Sequence, residues 1–414
     1  MGTSETPTTN RVARDRNVTR LSSWVHDFVL PKPRNRAAQD DALNWLAAAH
    51  ARSELLKADT VPNSGTPQSL AELCSKYERL LSRVGVKPAV VSHRDSELAD
   101  FTTMDVDSMT VFNTAGGPTG AAVNARMQVF SAAVMERFDD LYPKSESQPC
   151  ADLLHVSCTG YESPSAAQKL VANRGWATRV THFYHMGCYA ALPAVRVAAG
   201  LLNATDRVDI VHSELCSLHF DPSNHSLEQL VVQSLFADGY AKYSVTSAPP
   251  HNTSALELMA SLERIAPDSS NAMTWNLAPF GLAMQLSREV PDLIGLHIDA
   301  AFRELCSLAK LDLEYVRTSA QFAIHPGGPK IIESAADALG LSDWQTTHSK
   351  RVLFEHGNMS SATIPHVWAR MLSDENVKHG QTIVSFAFGP GLTIAANLLR
   401  KSACSERSRK SAET

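Results

Sequence analysis

The sequence predicts an α/β fold built from two halves of similar plan. Beyond the first quarter of the chain, short apolar runs bounded by turn residues alternate with helical stretches, which indicates strands and helices packed in layers. The segment SAPPHNTS, residues 247–254, separates two regions that share this style, although no sequence repeat is visible. We therefore expect an N-terminal half at 21–248 and a C-terminal half at 249–400, flanked by mobile polar tails at 1–20 and 401–414.

Two helices are predicted before this alternation begins. The stretch QDDALNWLAAAHARSELL, residues 39–56, carries apolar residues at helical spacing. The stretch SLAELCSKYERLLSRVG, residues 69–85, is amphipathic, with Ser69 as the expected N-cap and Gly85 as the expected stop.

Strands and helices then alternate in both halves. In the first half we expect a strand ending at Gly160, a capped helix at 163–175, a strand at 179–184, a helix after Gly187, a buried strand at 207–220, a helix from His225, a turn at Asp238-Gly239 and a strand to Val245. In the second half we expect a strand ending at His325, a helix at 329–341, a helix after Asn358 and an apolar run from Gln381 into a glycine loop.

Composition limits the classes of function. The 414 residues are 44% hydrophobic and 20% charged, with a net charge of −5 and no dense Lys/Arg block, so neither nucleic acid nor an anionic membrane is an expected partner. The longest apolar stretch is interrupted by Pro193 and Arg196, so no membrane span is predicted. The seven cysteines are scattered without a C-x-x-C pair, which argues against a disulfide framework or a zinc site and favours a reducing cytoplasm.

One cysteine stands at the start of a buried helix. In HFYHMGCYAALPAVRVAAGLL, Cys188 follows a glycine and precedes a stretch too apolar for the protein surface. The free N–H groups and the dipole of a helix N-terminus favour an anion. Together with a protonated histidine, they would lower the pKa of the thiol to roughly 3.5–7.5. The alternative is that Cys188 is a small core hydrophobe.

Two distant residues are candidate partners for this thiol. His325 lies at the end of a strand-like run, directly before a Pro-Gly-Gly-Pro turn, and Asn358 follows Gly357 before a helix of small residues. A Cys–His–Asn set is one form of the activated-thiol arrangement. His356 competes with His325 for this role, and Asn358 could be only a helix cap.

Four motifs in this order resemble those of one enzyme family. They are MGCYAA at Cys188, IHPGGPK at His325, GNMSSAT at Asn358 and FGPGLT at 388–393. Over roughly residues 22–400 the chain resembles the type III polyketide synthases of the chalcone/stilbene synthase family. It looks most similar to the bacterial alkylresorcinol/alkylpyrone branch, which shares CTGY…PS…Q and YHMGCYA, the latter at 184–190 here.

The resemblance implies a fold and a set of catalytic roles. The fold would be that of the thiolases, two similar halves stacked as α-β-α-β-α layers, in a homodimer. Cys188 would carry the starter and the growing chain as a thioester. His325 would hold the thiolate, and with Asn358 it would donate hydrogen bonds to the thioester oxygen and to the enolate formed when malonyl-CoA loses CO₂. No metal or prosthetic group is implied, because CoA thioesters are the substrates.

The resemblance also assigns residues around the site. Phe236 would be the gatekeeper between the CoA tunnel and the chain cavity. Met284 replaces a second pocket phenylalanine, and Trp275 replaces a glycine of the plant enzymes, which would re-aim the growing chain. Other positions implied by the resemblance are Cys158, His219 and Ser360 in the cavity wall, Lys76, Arg79, Arg83 and Lys330 at the CoA phosphates, and Gly389, Pro390 and Gly391 in a structural loop. Lys76, Arg79 and Arg83 share a helical face, and a merely solvated charged face is the alternative.

We therefore expect an acyltransferase that loads a long-chain fatty acyl starter from acyl-CoA or an acyl carrier protein. Two or three decarboxylative condensations with malonyl-CoA and a cyclisation would yield an alkylresorcinol or an alkylpyrone. The nearest rival is a β-ketoacyl-carrier-protein synthase III, which condenses once. A hydroxymethylglutaryl-CoA synthase would need a catalytic acid, and none flanks these motifs in the sequence; a catalytically dead scaffold would not need the intact Cys, His and Asn.

Overall fold

A computed structural model describes residues 22–58, 69–145, 148–251 and 253–402. The N-terminal tail expected at 1–20 lies outside these residues. The first two residues of the tail expected at 401–414, Lys401 and Ser402, belong instead to the last strand, and the rest of that segment lies outside the described residues. The Lys401 ammonium is buried there and donates to the main-chain oxygens of Met371 and Asp374.

The described residues form strands and helices in the following order along the chain. The strands are β1 Trp24–Val29, β2 Asn35–Ala38, β3 His93–Ser96, β4 Asp152–Ser157, β5 Arg179–Tyr184, β6 Arg207–Leu215, β7 Asp238–Thr246, β8 Ala255–Ile265, β9 Met273–Ala278, β10 Gly281–Leu286, β11 Gln321–Ile324, β12 Thr382–Gly389 and β13 Thr393–Ser402. The helices are α1 Gln39–Ala58, α2 Leu70–Val84, α3 Val123–Leu141, α4 Ala166–Arg174, α5 Ala191–Leu201, α6 Leu227–Leu235, α7 Val290–Ala309, α8 Leu313–Ser319, α9 Pro329–Leu339, α10 Asp343–His356 and α11 Thr363–Ser373.

The main sheet joins the two halves. Its strand order is β11-β12-β13-β8-β1-β7-β6-β4-β5, so strands of the C-terminal half lie on one side of β1 and those of the N-terminal half on the other. Strand β1 pairs antiparallel with both β7 and β8. The first strand of the chain therefore connects the halves by main-chain hydrogen bonds, which the sequence did not indicate.

Two helices occupy the space between the halves. Helix α5 contacts β4, β6 and β7 on one side and β8 and β13 on the other, and α11 contacts both β7 and β11. Helix α7 packs on the outer face of β8 and β13. The layering α-β-α-β-α is confirmed, and the stretch after Cys188 is the central helix that its apolar composition predicted.

Side-chain alternation in the strands separates the central core from the outer ones. In β12, Ile383 and Ala387 face the core that contains α5, whereas Val384 and Phe386 face the core that contains α7. Successive side chains of a strand point to opposite faces, so a strand covered on both faces must be apolar throughout.

Local signals in the sequence placed several boundaries correctly. Ser69 and Ser165 each accept a hydrogen bond from the third residue of the following helix, and each is part of a capping box. The turn expected at Asp238-Gly239 is wrong, because β7 begins at Asp238 itself. The strand expected at 207–220 ends at Leu215 and continues as a short 3₁₀ helix.

Candidate active site

Cys188 lies in the turn between β5 and the central helix α5. It precedes Ala191, the first helical residue, by three positions, and its side chain is 6% exposed. Gly187, directly before it, has φ +85°, a conformation that favours glycine. The glycine of the motif thus shapes the turn, and the turn presents the thiol to a cavity inside the molecule.

The predicted loop of Gly389, Pro390 and Gly391 packs against this turn. A Cβ added at Gly187 would lie 2.7 Å from Pro390 Cδ, and one at Gly389 would overlap the ring of Tyr189. Gly391 has φ +108°. Two glycines from distant parts of the chain therefore let the loop of the C-terminal half support the turn that carries the thiol.

His325 follows β11 directly, as the sequence predicted for a residue at a strand end. Its main-chain N–H donates to Phe386 O at 2.7 Å, and its carbonyl accepts from Gly327 N at 2.8 Å. The side chain is 2% exposed, and neither ring nitrogen has a hydrogen-bond partner among the described residues. Both nitrogens are thus available to a group that enters the cavity.

Asn358 is held by its main chain and oriented by its side chain. Its N–H donates to Leu235 O at 3.0 Å, and its carbonyl accepts from Ala237 N at 2.9 Å. The side-chain oxygen accepts from Ser360 N at 2.9 Å, which leaves the amide NH₂ to hydrogen-bond the thiol of Cys188. The side chain therefore both closes the turn that precedes α11 and faces the nucleophile.

Cys188, His325 and Asn358 meet in one small cavity. The two halves of the chain both contribute to it, so the site exists only in the folded molecule. Its other lining residues are mostly apolar: Phe236, Met273, Met284, Leu286, Gly327, Ile331 and Phe388.

A second, larger cavity adjoins the first. Phe236 and Met284 line both cavities and therefore form the wall between them. All six residues that the sequence assigned to the gate and cavity lie in its lining: Phe236, Trp275, Met284, Cys158, His219 and Ser360. This cavity is more polar than the first, since Asp221, Asn224, Gln229 and Gln233 also line it.

Burial of Cys188 opposes the ionised thiol that a helix N-terminus and a protonated histidine would favour. Burial raises the pKa of Cys188 to about 12, although hydrogen bonds with Ser360 and Asn358 act in the opposite direction. Burial also lowers the pKa of His325 to about 3. The low dielectric of the cavity therefore disfavours either charge alone.

Comparison with known proteins identifies the family. The N-terminal domain of chalcone and stilbene synthases matches residues 70–249, and their C-terminal domain matches residues 257–403, which together make up most of the chain. The chain belongs to the chalcone and stilbene synthase family. It is accordingly an acyltransferase of the type III polyketide synthase class.

Individual relatives agree with this assignment. "Probable polyketide synthase 1" of Dictyostelium discoideum is 32% identical over 288 residues, which cover 64% of this chain but only 9% of that much longer protein. The C-terminal type III polyketide synthase domain of Steely1, a type I/III hybrid from Dictyostelium, superposes with a TM-score of 0.75 at 25% identity, covering 92% of this chain and all of that one. PKS-I of the brown alga Ectocarpus siliculosus has the same fold, with a TM-score of 0.75, 23% identity and coverage of 92% and 98%.

Trp275 and Met284, the two departures in the wall of this family member, face each other. They are directly opposed in the antiparallel hairpin of β9 and β10. The indole N–H of Trp275 donates to Cys158 O at 2.5 Å, and its carbonyl contacts His185 Nε2 at 2.6 Å. The indole is therefore a fixed part of the cavity wall.

His219 is a wall residue with both ring nitrogens occupied. Nε2 contacts Thr159 O at 2.7 Å, and Nδ1 accepts from Leu282 N at 3.0 Å, which requires the neutral tautomer with the proton on Nε2. Burial lowers the pKa of His219 to about 3. The ring is thus fixed as a neutral donor to the main chain and has no proton to exchange with substrate.

A buried carboxyl group beside the Cys158 thiol was not predicted from the sequence. Glu214 of β6 is fully buried and accepts hydrogen bonds from Cys158 N, Thr159 Oγ1 and Ser361 Oγ. Burial raises its pKa to about 7, although these hydrogen bonds oppose the rise. A carboxylate inside an apolar strand was the available signal. Glu214 lines neither cavity, so the absence of a catalytic acid beside the motifs stays a prediction.

A serine hydroxyl links two thiols at the junction of the cavities. Ser360 Oγ lies 2.9 Å from Cys158 Sγ and 3.6 Å from Cys188 Sγ. Ser360 adopts φ +49°, the left-handed region that non-glycine residues seldom occupy. This conformation directs its hydroxyl between the two sulfur atoms.

The cations assigned to CoA lie outside both cavities. Lys76 is paired with Glu54 at 2.8 Å, whereas Arg79 and Arg83 are exposed on the same helix, α2. Helix α2 packs against α6, which leads to Phe236. Lys330 is exposed at the second position of α9. Their contact with CoA stays a prediction.

The competing histidine is placed elsewhere. His356 Nδ1 lies 3.1 Å from Asp95 Oδ2, its ring packs against His366, and it lines neither cavity described above.

Among the described residues, no group of three or more His, Cys, Asp or Glu side chains could hold a metal ion, and no helix is long and apolar enough to cross a membrane. The six cysteines in the described part of the chain are free thiols.

Proposed function

We propose that this protein loads a long-chain fatty acyl starter on Cys188, extends it two or three times with malonyl-CoA and cyclises the product to an alkylresorcinol or an alkylpyrone. The observation that carries the proposal is the meeting of Cys188, His325 and Asn358 in one cavity that adjoins a second one. The first cavity would hold the reacting thioester, and the second would hold the growing chain.

Loading requires an anionic sulfur in a cavity that disfavours isolated charge. Because burial raises the pKa of Cys188 and lowers that of His325, a free thiolate is costly. Proton transfer from the thiol to the imidazole instead creates two opposite charges that stabilise each other. The thiolate attacks the acyl-CoA carbonyl, the C–S bond to CoA breaks, and the imidazolium proton goes to the departing CoA thiolate.

Extension requires donors for an enolate oxygen. The NH₂ of Asn358 and a ring N–H of His325 supply them for malonyl-CoA, and they are pre-oriented because Ser360 N fixes the Asn358 amide. Loss of CO₂ leaves an enolate whose carbon attacks the thioester on Cys188. The new C–C bond forms, the bond to Cys188 breaks, and the extended chain now carries the CoA that came with malonyl.

Phe236 and Met284 would decide what passes between the cavities. A chain that grows from Cys188 must cross this wall to enter the polar second cavity. The fixed indole of Trp275 lines that cavity and would select the folding of the chain before cyclisation.

The starter and the product are tested by direct assay. Incubation with acyl-CoAs of graded length and malonyl-CoA, read by LC–MS, should give alkylresorcinols or alkylpyrones without any carrier protein. A single condensation that occurs only with a carrier protein would instead favour the β-ketoacyl-carrier-protein synthase III reaction. The same series with acyl carrier protein as donor identifies the source of the starter.

We also propose a homodimer that needs no metal or prosthetic group. Strand β5 is the terminal strand of the sheet among the described residues and is partly exposed, so its main chain could pair with a second copy. Light scattering should give twice the mass of 45.0 kDa. Dialysis against EDTA should leave activity unchanged. The cytoplasmic location stays a prediction.

A further inference from the structure

The C-terminal end of helix α6 carries two parts of the proposed site. Phe236, which separates the two cavities, is the residue that follows its last helical residue. The main chain of Asn358 pairs with this same end through Leu235 O and Ala237 N. The positions of the gate ring and of the amide donor therefore both depend on how α6 ends.

A helix ends with four main-chain carbonyls that have no partner within the helix. At α6 the first of these carbonyls, Val232 O, accepts from Phe236 N. The last, Leu235 O, accepts from Asn358 N. Two buried side chains from elsewhere take the remaining ones. Arg94 Nη1 donates to Gln233 O at 2.5 Å and to Phe236 O at 3.2 Å, and Gln39 Nε2 donates to Ser234 O at 2.8 Å.

The two side chains brace each other. Arg94 Nε donates to Gln39 Oε1 at 2.9 Å, and Gln39 Nε2 also donates to Val86 O at 2.8 Å. Arg94 is 5% exposed and Gln39 is 1% exposed. This clamp, which we define as Arg94 together with Gln39, ties the end of α6 to the start of α1 and to β3.

The positive charge of Arg94 suits its position at the C-terminus of α6. A cation at a helix C-terminus is stabilised by the partial negative charge of the free carbonyls. Burial lowers the pKa of Arg94 to about 10, while the Asp238 carboxylate acts in the opposite direction. The guanidinium therefore stays charged at neutral pH.

We propose that Arg94, braced by Gln39, is a positioning residue for malonyl decarboxylation and chain extension. By fixing the end of α6 it fixes the Phe236 ring and, through Leu235 and Ala237, the main chain of Asn358. The inference rests on the proposed function and adds to it two residues that touch neither substrate nor thiol.

Lysine is the informative replacement for Arg94. It keeps the charge but has a single nitrogen, which cannot reach two carbonyls and the Gln39 amide in the fork geometry of arginine. A displacement of about 1 Å in a reacting group can cost on the order of 100-fold in rate. Arg94→Lys should therefore lower kcat for malonyl-CoA decarboxylation at least about 10-fold, while KM changes less than about 3-fold.

Arg126 offers a matched control. It is also fully buried, and burial also lowers its pKa to about 10, but it donates to Leu218 O and Phe220 O beside the second cavity. Arg126→Lys should lower the melting temperature about as much as Arg94→Lys does. It should keep the kcat for decarboxylation within about 2-fold of wild type. Gln39→Ala retains the guanidinium of Arg94. It should therefore lower kcat for decarboxylation less than Arg94→Lys does, again with little change in KM.

The outcomes separate this inference from the proposed function. If wild-type protein does not decarboxylate malonyl-CoA, the proposed function fails first. If wild type is active and Arg94→Lys and Gln39→Ala lose only stability, with kcat equal to that of Arg126→Lys, the positioning role is overturned. Gln39→Ala alone decides the question if Arg94→Lys does not fold.

Discussion

The two cavities on either side of Phe236 differ in composition, although both halves of the chain line each of them. The Cys188 cavity is largely apolar and contains the reacting groups, whereas the second cavity is more polar and is bounded by the β9–β10 hairpin and by residues near β6. The difference indicates a division of labour. Bond formation needs a few fixed donors in a dry site, and product choice needs a wall whose shape can vary.

The largest effects should follow from removing donors in the first cavity. His325→Ala and Asn358→Ala should each lower the kcat for malonyl-CoA decarboxylation about 100- to 1000-fold, because each removes a donor to the enolate oxygen. His356→Ala, which changes a histidine outside the two cavities, is the control. Decarboxylation that persists in both site variants would show that the enolate is stabilised elsewhere.

Thiol activation through the His325 ring makes a separate prediction. In His325→Ala, no internal base takes the Cys188 proton, so alkylation of Cys188 by iodoacetamide at pH 7 should slow at least about 10-fold. The labelled site is read by mass spectrometry of the peptide at 180–196, which contains only this cysteine. Equal labelling rates in the variant and the wild type would mean that the thiolate forms without the imidazole.

In the second cavity we expect a change of product with a smaller change of rate. Trp275→Gly removes the indole that donates to Cys158 O and enlarges the cavity. The ratio of resorcinol to pyrone products should shift at least about 2-fold, while decarboxylation stays within about 3-fold of wild type. Trp344→Gly, at an exposed site on α10, controls for loss of stability. An unchanged product ratio would show that Trp275 does not select the product.

The smallest effect concerns stability and pH. Burial raises the pKa of Glu214 to about 7 from an ordinary 4.5. The protonated carboxyl contributes stability below pH 4.5, and this contribution is lost as the pH rises through 7, at up to about 1.4 kcal/mol per pH unit. Glu214→Gln cannot titrate, so its free energy of unfolding relative to wild type should rise between pH 4.5 and 7. Urea unfolding at several pH values measures this, and a constant difference would contradict it.

Features that depend on local patterns in the sequence were predicted correctly. The cap at Ser69, the capped helix at 163–175, the central helix and the strand that delivers His325 are local patterns, and all were placed correctly. Cys188, His325 and Asn358 were assigned to one site because their motifs resemble those of a known family. Their spacing along the chain did not by itself predict that they would be neighbours.

Buried charges and long-range pairings could not be predicted in this way. Glu214, Arg94 and Gln39 acquire their roles only through partners far along the chain, and nothing beside them in the sequence marks those partners. Strand β1 likewise gains its place from β7 and β8, more than two hundred residues away. The burial of Cys188, which raises the pKa of its thiol, likewise depends on residues far along the chain.

The central claim is that Cys188 carries the acyl chain. Wild-type protein incubated with a long-chain acyl-CoA alone should gain the mass of one acyl group, located by peptide mapping on the fragment at 180–196, and Cys188→Ala should gain none. An acyl group on a different residue, or polyketide formation by Cys188→Ala at the wild-type rate, would contradict the account.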